Sequence, residues 1–304
     1  MSRKSKSESL TPQYVFSSCT VLTALITIYF IGFIFYFAYP TFASQGFINF
    51  ITGSEWNYSE NIYGIRIFLG GTVVLTLITL MLAVPVGIFT GVFLSEFASP
   101  KVVSIMRPLI ELLVGIPSVV YGVVGLFVLG PIFGSYVASI TVSILGFLPF
   151  FQDPGSERGV GLALASTVLA IMILPTIISI SEDSIRSVKR EYREASFALG
   201  ATHWETISKV VLPAASKGIL SAVVLGMMRA MGETMAVVML FGSAKQIPTT
   251  FFGSGYAMTS KILNDIGLHI AEETSRSALF AIAAVLFATE ILFVGLARVI
   301  GGKL

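Results

Sequence analysis

The sequence predicts an all-α integral membrane protein of six transmembrane helices with both termini in the cytoplasm, and three observations carry that prediction. Of the 304 residues, 55% are hydrophobic and only 12% charged, with a mean hydropathy of +0.87, whereas soluble domains carry about 25% charged residues. A chain of this size with half that charge lacks the polar surface that water requires. The apolar residues fall in runs of about 20, the length of helix that crosses a bilayer, and not in the short alternating segments of a transmembrane barrel. Lysine and arginine concentrate in alternate loops, as the retention of basic loops in the cytoplasm demands.

The runs are 14–38, 67–93, 108–133, 160–180, 218–242 and 277–299. Arg3, Lys4 and Lys6 precede the first, whose apolar core exceeds the 7–15 residues or so of a signal peptide; it reads as a span that stays in place. A further apolar stretch, 136–151, comes after Pro131 and Gly134. Counting it as a seventh span would put the loop carrying Arg186, Lys189, Arg190, Arg193, Lys209 and Lys217 outside. With six spans that loop joins Lys101, Arg107, Arg298 and Lys303 inside, so 136–151 is expected to be a re-entrant or interfacial segment shielded by protein. The chain therefore divides into a cytoplasmic tail (1–13), a first helix with its outer loop (14–65) and a five-helix core (66–300) whose longest inner loop is 181–217.

Several function classes drop out. A formal net charge of +2 is too small to argue for nucleic acid. Cys19 is the single cysteine, so no intrachain disulfide or thiolate cluster forms, and His203 and His269 lack metal-ligand spacing; no metal site is expected. The spans hold no cluster of residues that would serve an intramembrane enzyme. No G-x-x-x-x-G-K-[ST] phosphate-cradling loop occurs, so any ATP hydrolysis is expected in a separate subunit, and this chain is expected to bind no cofactor.

The inner loop reads as helix, break, helix. Residues 191–199 are good helix formers and Gly200 is a natural stop. Thr202 with Glu205 three positions on forms a capping box for a second helix, with Trp204, Ile207 and Val211 expected on one face and Pro213 ending it. Such an apolar and aromatic pair of short helices either lies on the headgroups or docks into a partner's groove.

The fifth run holds Arg229 and Glu233, four residues apart and so expected on one helix face, with Thr234 next in the chain. A charge in mid-membrane costs about 2.5–3.5 kcal/mol on insertion scales. The pair is either a packing device or part of an anion pathway, where the planar, permanently charged fork of arginine matches oxyanions. Gly226 and Gly232 are expected to allow close helix approach around it. Pro117, with Gly115 and Gly122, predicts a kinked or partly unwound third span that places Ser118 and Tyr121 as further pathway candidates. Glu111 either reaches the interface by snorkelling or joins the pathway, and Glu290 faces either a partner helix or the pathway. Gly87 and Gly91 make a small-xxx-small face suited to subunit packing.

Glu194-Ala195, Gly200 and Leu212-Pro213 resemble the EAA signature of ABC importer permeases, with Ser196 where a second alanine is usual and Val210 where isoleucine is usual. The resemblance implies the type I, MetI-like permease fold, a bacterial cytoplasmic-membrane location, and a coupling helix at this loop that inserts into an ATPase subunit. The run R-A-M-G-E-T-M-A-V at 229–237 and E-L-L-V-G-I-P-S-V-V-Y-G-V-V-G at 111–125 are similar to the phosphate-specific Pst permeases, in the PstC-type form. That implies phosphate translocation involving Arg229 and Glu233, a PstA-type second permease, PstB-type ATPase subunits that use ATP, and a PstS-type phosphate-binding protein. A permease for sulfate, molybdate or phosphonate would carry the same loop. A secondary transporter is the reading from another class and needs no ATPase.

Overall fold

The structure, a computed structural model, describes residues 10–152, 155 and 158–301; the basic residues Arg3, Lys4, Lys6 and Lys303 lie outside these. Among the described residues, six helices are long and apolar enough to cross a membrane. They are α1 (Leu10–Gln45), α3 (Arg66–Val92, extended by a π-turn to Phe97), α5 (Ser118–Leu145), α6 (Leu162–Arg186), α8 (His203–Gly232) and α11 (Glu273–Gly301). Shorter helices lie between them: α2 (Phe47–Thr52), α4 (Pro100–Gly115), α7 (Arg190–Ala198), α9 (Met235–Leu240) and α10 (Met258–His269). A two-stranded hairpin, Trp56–Asn57 with Ile62–Tyr63, comes after α2. The inner side of the bundle is the one that carries the basic loops, and the hairpin lies on the outer side.

Inside a membrane helices gain little by hiding apolar surface from one another, so close packing and small residues must hold them together. α6 is the central helix: Leu162, Leu164, Ile173, Ile177 and Ile185 are fully buried. A Cβ at Gly87 would meet Ile177 at 2.6 Å, and one at Gly91 would meet the backbone of Glu182 at 3.1 Å. The small-residue face of α3 is therefore consumed within the chain, against α6, and not in subunit packing. Gly226 likewise lets α8 approach Ile177, whereas Gly232 has only Glu290 nearby, at an ordinary 3.9 Å.

α1 stands apart and touches the bundle through α11. Phe33 and Phe37 meet the ring of Phe280 at 5.7 and 5.2 Å, and the Thr41 hydroxyl donates to Ser277 at 2.8 Å. Elsewhere on α1 the hydroxyls of Thr20, Thr23 and Thr27 donate to carbonyls one turn back, which satisfies them without water.

The third span differs from expectation. The predicted run 108–133 is split: α4 carries its first part, and the chain is extended at Ile116 (φ −73°, ψ 125°) and Pro117 (φ −58°, ψ 140°). Proline lacks an N–H and pushes its predecessor out of the helical region. The helix restarts at Ser118 and then runs unbroken to Leu145. Residues 136–145 are thus the outer end of the third span, not a re-entrant segment. Pro131 does not stop the helix, because π-turns at Gly125–Leu129 and Phe133–Val137 flank it and a wider turn spares the hydrogen bond a proline cannot make. The span count and the orientation are unchanged.

On the outer side the hairpin is pinned from beneath by Lys261 of α10. Its ammonium lies 4.7 Å from the ring of Trp56 and 5.3 Å from that of Tyr58. It is paired with Asp265, which also accepts a hydrogen bond from the Tyr58 hydroxyl. His269 stacks on Tyr58 at 3.6 Å. Burial pushes Lys261 below the usual lysine range, and burial together with Asp265 pushes Tyr58 well up.

Candidate functional site

Two sites stand out, one on the inner face and one midway through the bundle. The inner site is the α7–α8 elbow. Gly200 closes α7 in the left-handed region at φ +83°, where only glycine is at ease. Ala201 N–H then returns to Ser196 O at 3.2 Å. The capping box forms as expected: Thr202 N–H donates to Glu205 Oε2 at 3.0 Å, and Glu205 N–H donates to the Thr202 hydroxyl at 3.3 Å.

Ser196 explains its own departure from alanine. Its hydroxyl is buried and lies 2.9 Å from that of Thr206, which ties α7 to the start of α8. Two expectations fail here. Pro213 does not end the second helix, since a π-turn at Ile207–Val211 carries α8 through it to Gly232. Trp204 does not share a face with Ile207 and Val211, because the π-turn changes the register. Ile207 and Val211 are buried against Val92, Ile185 and Leu212, while Trp204 is 57% exposed. Leu199, 90% exposed, Tyr192 and Phe197 are likewise exposed on the elbow, as are Glu194 and Ala195. Glu194 pairs with Arg190, at 2.9 Å.

The central site lies where α8 breaks. The helix ends at Gly232 and Glu233 is extended (φ −66°, ψ 129°), so Arg229 and Glu233 do not share a helix face and no ion pair joins them. Glu233 Oε1 instead accepts the N–H groups of Thr234 at 3.1 Å and Ala236 at 3.3 Å, capping α9. Its carbonyl accepts the Thr259 hydroxyl at 2.9 Å. The Thr234 hydroxyl donates to Gly232 O at 3.2 Å, so it too serves the break.

Arg229 is half-buried, and Nη1 donates to the Thr176 hydroxyl of α6 at 3.4 Å. Among the described residues no carboxylate lies within ion-pairing distance of it. Thr176 is not among the residues that the sequence singles out; a hydroxyl directly after Pro175 is its signal, in a run that also holds Ser166, Thr167 and Ser179. Tyr121 lies within electrostatic reach of Arg229, and its hydroxyl donates to Leu113 O at 3.0 Å, bridging the α4–α5 break across Pro117 and Ser118. Glu290 of α11 sits beside Gly232, within this chain's own bundle. Glu111 is exposed on α4, away from this group and close to Arg107.

Six spanning helices, one of them broken just after an arginine with no carboxylate in reach among the described residues, and an exposed helical elbow on the basic side make a multi-pass membrane protein of permease type. Residues 83–304 match the family described as binding-protein-dependent transport system inner membrane component. The chain belongs to that family. It is 37% identical over 258 residues to the probable ABC transporter permease protein YqgH of Bacillus subtilis, covering 84% of this chain and 78% of that one. It is 36% identical over 255 residues to the phosphate transport system permease protein PstC of Xylella fastidiosa, covering 83% and 78%. With PstC of Mesorhizobium japonicum it shares 33% over 293 residues, 93% of this chain and 88% of that one. Among solved structures, a bacterial ABC transporter that imports the acidic polysaccharide alginate aligns over 98% of both chains, with TM-score 0.62 and 18% identity. The MetNI methionine transporter, in an inward-facing conformation, aligns over 79% of this chain and 94% of its own, with TM-score 0.55 and 20% identity. These two establish the type I, MetI-like fold.

Proposed function

We propose that the chain is the PstC-type permease subunit of an ATP-driven importer of inorganic phosphate in the bacterial cytoplasmic membrane. The observation that carries this reading is Arg229, a permanent cation in the last turn of the spanning helix α8, just before its break, with a hydroxyl neighbour and, among the described residues, no carboxylate within ion-pairing distance. An unpaired guanidinium there is costly, and an oxyanion is the species that relieves the cost through paired N–H···O contacts. Relatives named as phosphate permeases support the choice of anion.

Energy enters from the inner side. A separate PstB-type ATPase hydrolyses ATP and receives the α7–α8 elbow in a groove. Burying Leu199 there would contribute about 1.5–3 kcal/mol, with a comparable gain from Trp204. A PstS-type protein delivers phosphate to the outer face, and a PstA-type permease completes the passage. Tyr121, Ser118 and Pro117 belong to the wall near Arg229; Glu290 and Thr176 join them. Glu233 and Thr234 act by holding the helix break open.

The test is ATP-driven phosphate uptake by vesicles holding the complete complex. Arg229→Gln is expected to lose uptake by about 10- to 150-fold, the equivalent of one charge-assisted contact of about 1.5–3 kcal/mol. Normal uptake with Arg229→Gln would refute the site.

A further inference from the structure

The inner ends of the spans carry two buried carboxylates that neither the docking face nor the anion site uses. Glu182 of α6, its side chain 3% exposed, accepts Arg107 of α4 and Arg186 of its own helix, each at 2.8 Å. Glu96, at the end of α3 and 8% exposed, accepts Arg193 Nη2 at 2.7 Å. The second pair is the informative one. Arg193 belongs to the docking helix α7, and the same guanidinium also donates to the carbonyls of Ile185 at 3.0 Å and Val188 at 2.6 Å. One side chain thus fastens α7 to α3 and α6 together. Glu96 reaches it because the last turn of α3 is a π-turn, Phe93–Phe97. The extra residue in that turn rotates the side chains at its end by about 100° relative to a plain helix.

A packing role alone would be filled by apolar residues at lower desolvation cost. Val92, Ile185, Val188, Ile207 and Val211 already pack there. A directional tie is different, because it transmits force between elements that apolar contacts would let slide.

We propose that Glu96 and Arg193 form the coupling clasp of this permease: positioning residues that turn displacement of α7 by the ATPase into displacement of the inner end of α3. The clasp sets how much substrate moves per ATP, not whether the ATPase docks. This rests on the importer reading, and wild-type complex without ATP-driven uptake would sink that reading separately. The experiment measures phosphate uptake and ATP hydrolysis together in vesicles holding the complete complex, for Glu96→Gln, Arg193→Gln and the conservative Arg193→Lys. The two glutamine changes are each expected to lower phosphate moved per ATP by about tenfold, while hydrolysis stays within about twofold of wild type. Arg193→Lys, which keeps the positive charge and donors for Glu96 and the carbonyls, is expected to retain most of the ratio. An unchanged ratio in the glutamine variants, or uptake and hydrolysis falling in equal proportion, would overturn the proposal. So would failure of all three variants to assemble, which would assign the pair to folding.

Discussion

Glu233 gives its carboxylate to the backbone N–H of Ala236, 3.3 Å away, and not to Arg229. That relationship divides the labour between two residues that look like partners. Glutamate holds the helix break, and in the proposed function arginine is left to meet the anion.

Different substitutions at 233 therefore separate charge from cap. Glu233→Gln keeps an acceptor for the Thr234 and Ala236 N–H groups and is expected to retain wild-type thermal stability. Glu233→Ala leaves the α9 start uncapped and is expected to cost about 0.5–2 kcal/mol. Thermal unfolding of the two variants in the same detergent checks the order.

Ser196 makes a similar point in the docking loop. Ser196→Ala restores the residue usual in the motif but leaves the Thr206 hydroxyl, 1% exposed, without its partner. A buried unsatisfied hydroxyl costs about 1–3 kcal/mol, so lower stability is expected despite the closer match. Denaturation of the variant beside Thr206→Val, which removes the orphan, measures this.

Glu182 is the hub of the other ion-pair group. Glu182→Ala strands the guanidiniums of Arg107 and Arg186, which are 37% and 49% exposed. Because both keep solvent contact, the loss is expected near or below the lower end of the range of about 3–5 kcal/mol for breaking a buried pair. Thermal unfolding reads it directly.

The outer hairpin has a defined pH window. The Tyr58 hydroxyl is raised above its ordinary value of about 10, by burial first and then by its bond to Asp265. A group whose folded-state value is raised contributes stability that is complete below the unfolded value and fades as pH climbs toward the folded one. The hairpin is thus expected to hold unchanged from neutral pH to about 10 as far as Tyr58 is concerned. Tyrosinate absorbance should show a late-ionising step that disappears in Tyr58→Phe.

Local signals in the sequence were legible, and those that depend on helix register were not. Thr202 and Glu205 are three residues apart, so their box needs only local chain and forms as read. The break at Pro117 was visible for the same reason, since proline acts on its own neighbours. A shared face for Arg229 and Glu233 requires an unbroken helix, and the break directly after Gly232 removes it. Trp204 was misplaced by a π-turn, a one-residue change of register with no composition of its own. The same device carried α5 past Pro131 and turned an expected re-entrant segment into the end of a span. Thr176 and the Glu96–Arg193 clasp join residues 53 and 97 positions apart in the chain, and no periodicity announces contacts of that kind.

The central claim is that this permease moves phosphate under ATP. Radiolabelled phosphate uptake by vesicles holding the complete complex, with excess unlabelled phosphate or sulfate as competitor, tests it most directly. Uptake is expected only with ATP, abolished by excess phosphate and unaffected by sulfate. Uptake that ignores excess phosphate, or that proceeds with this chain alone and no ATPase, would contradict it.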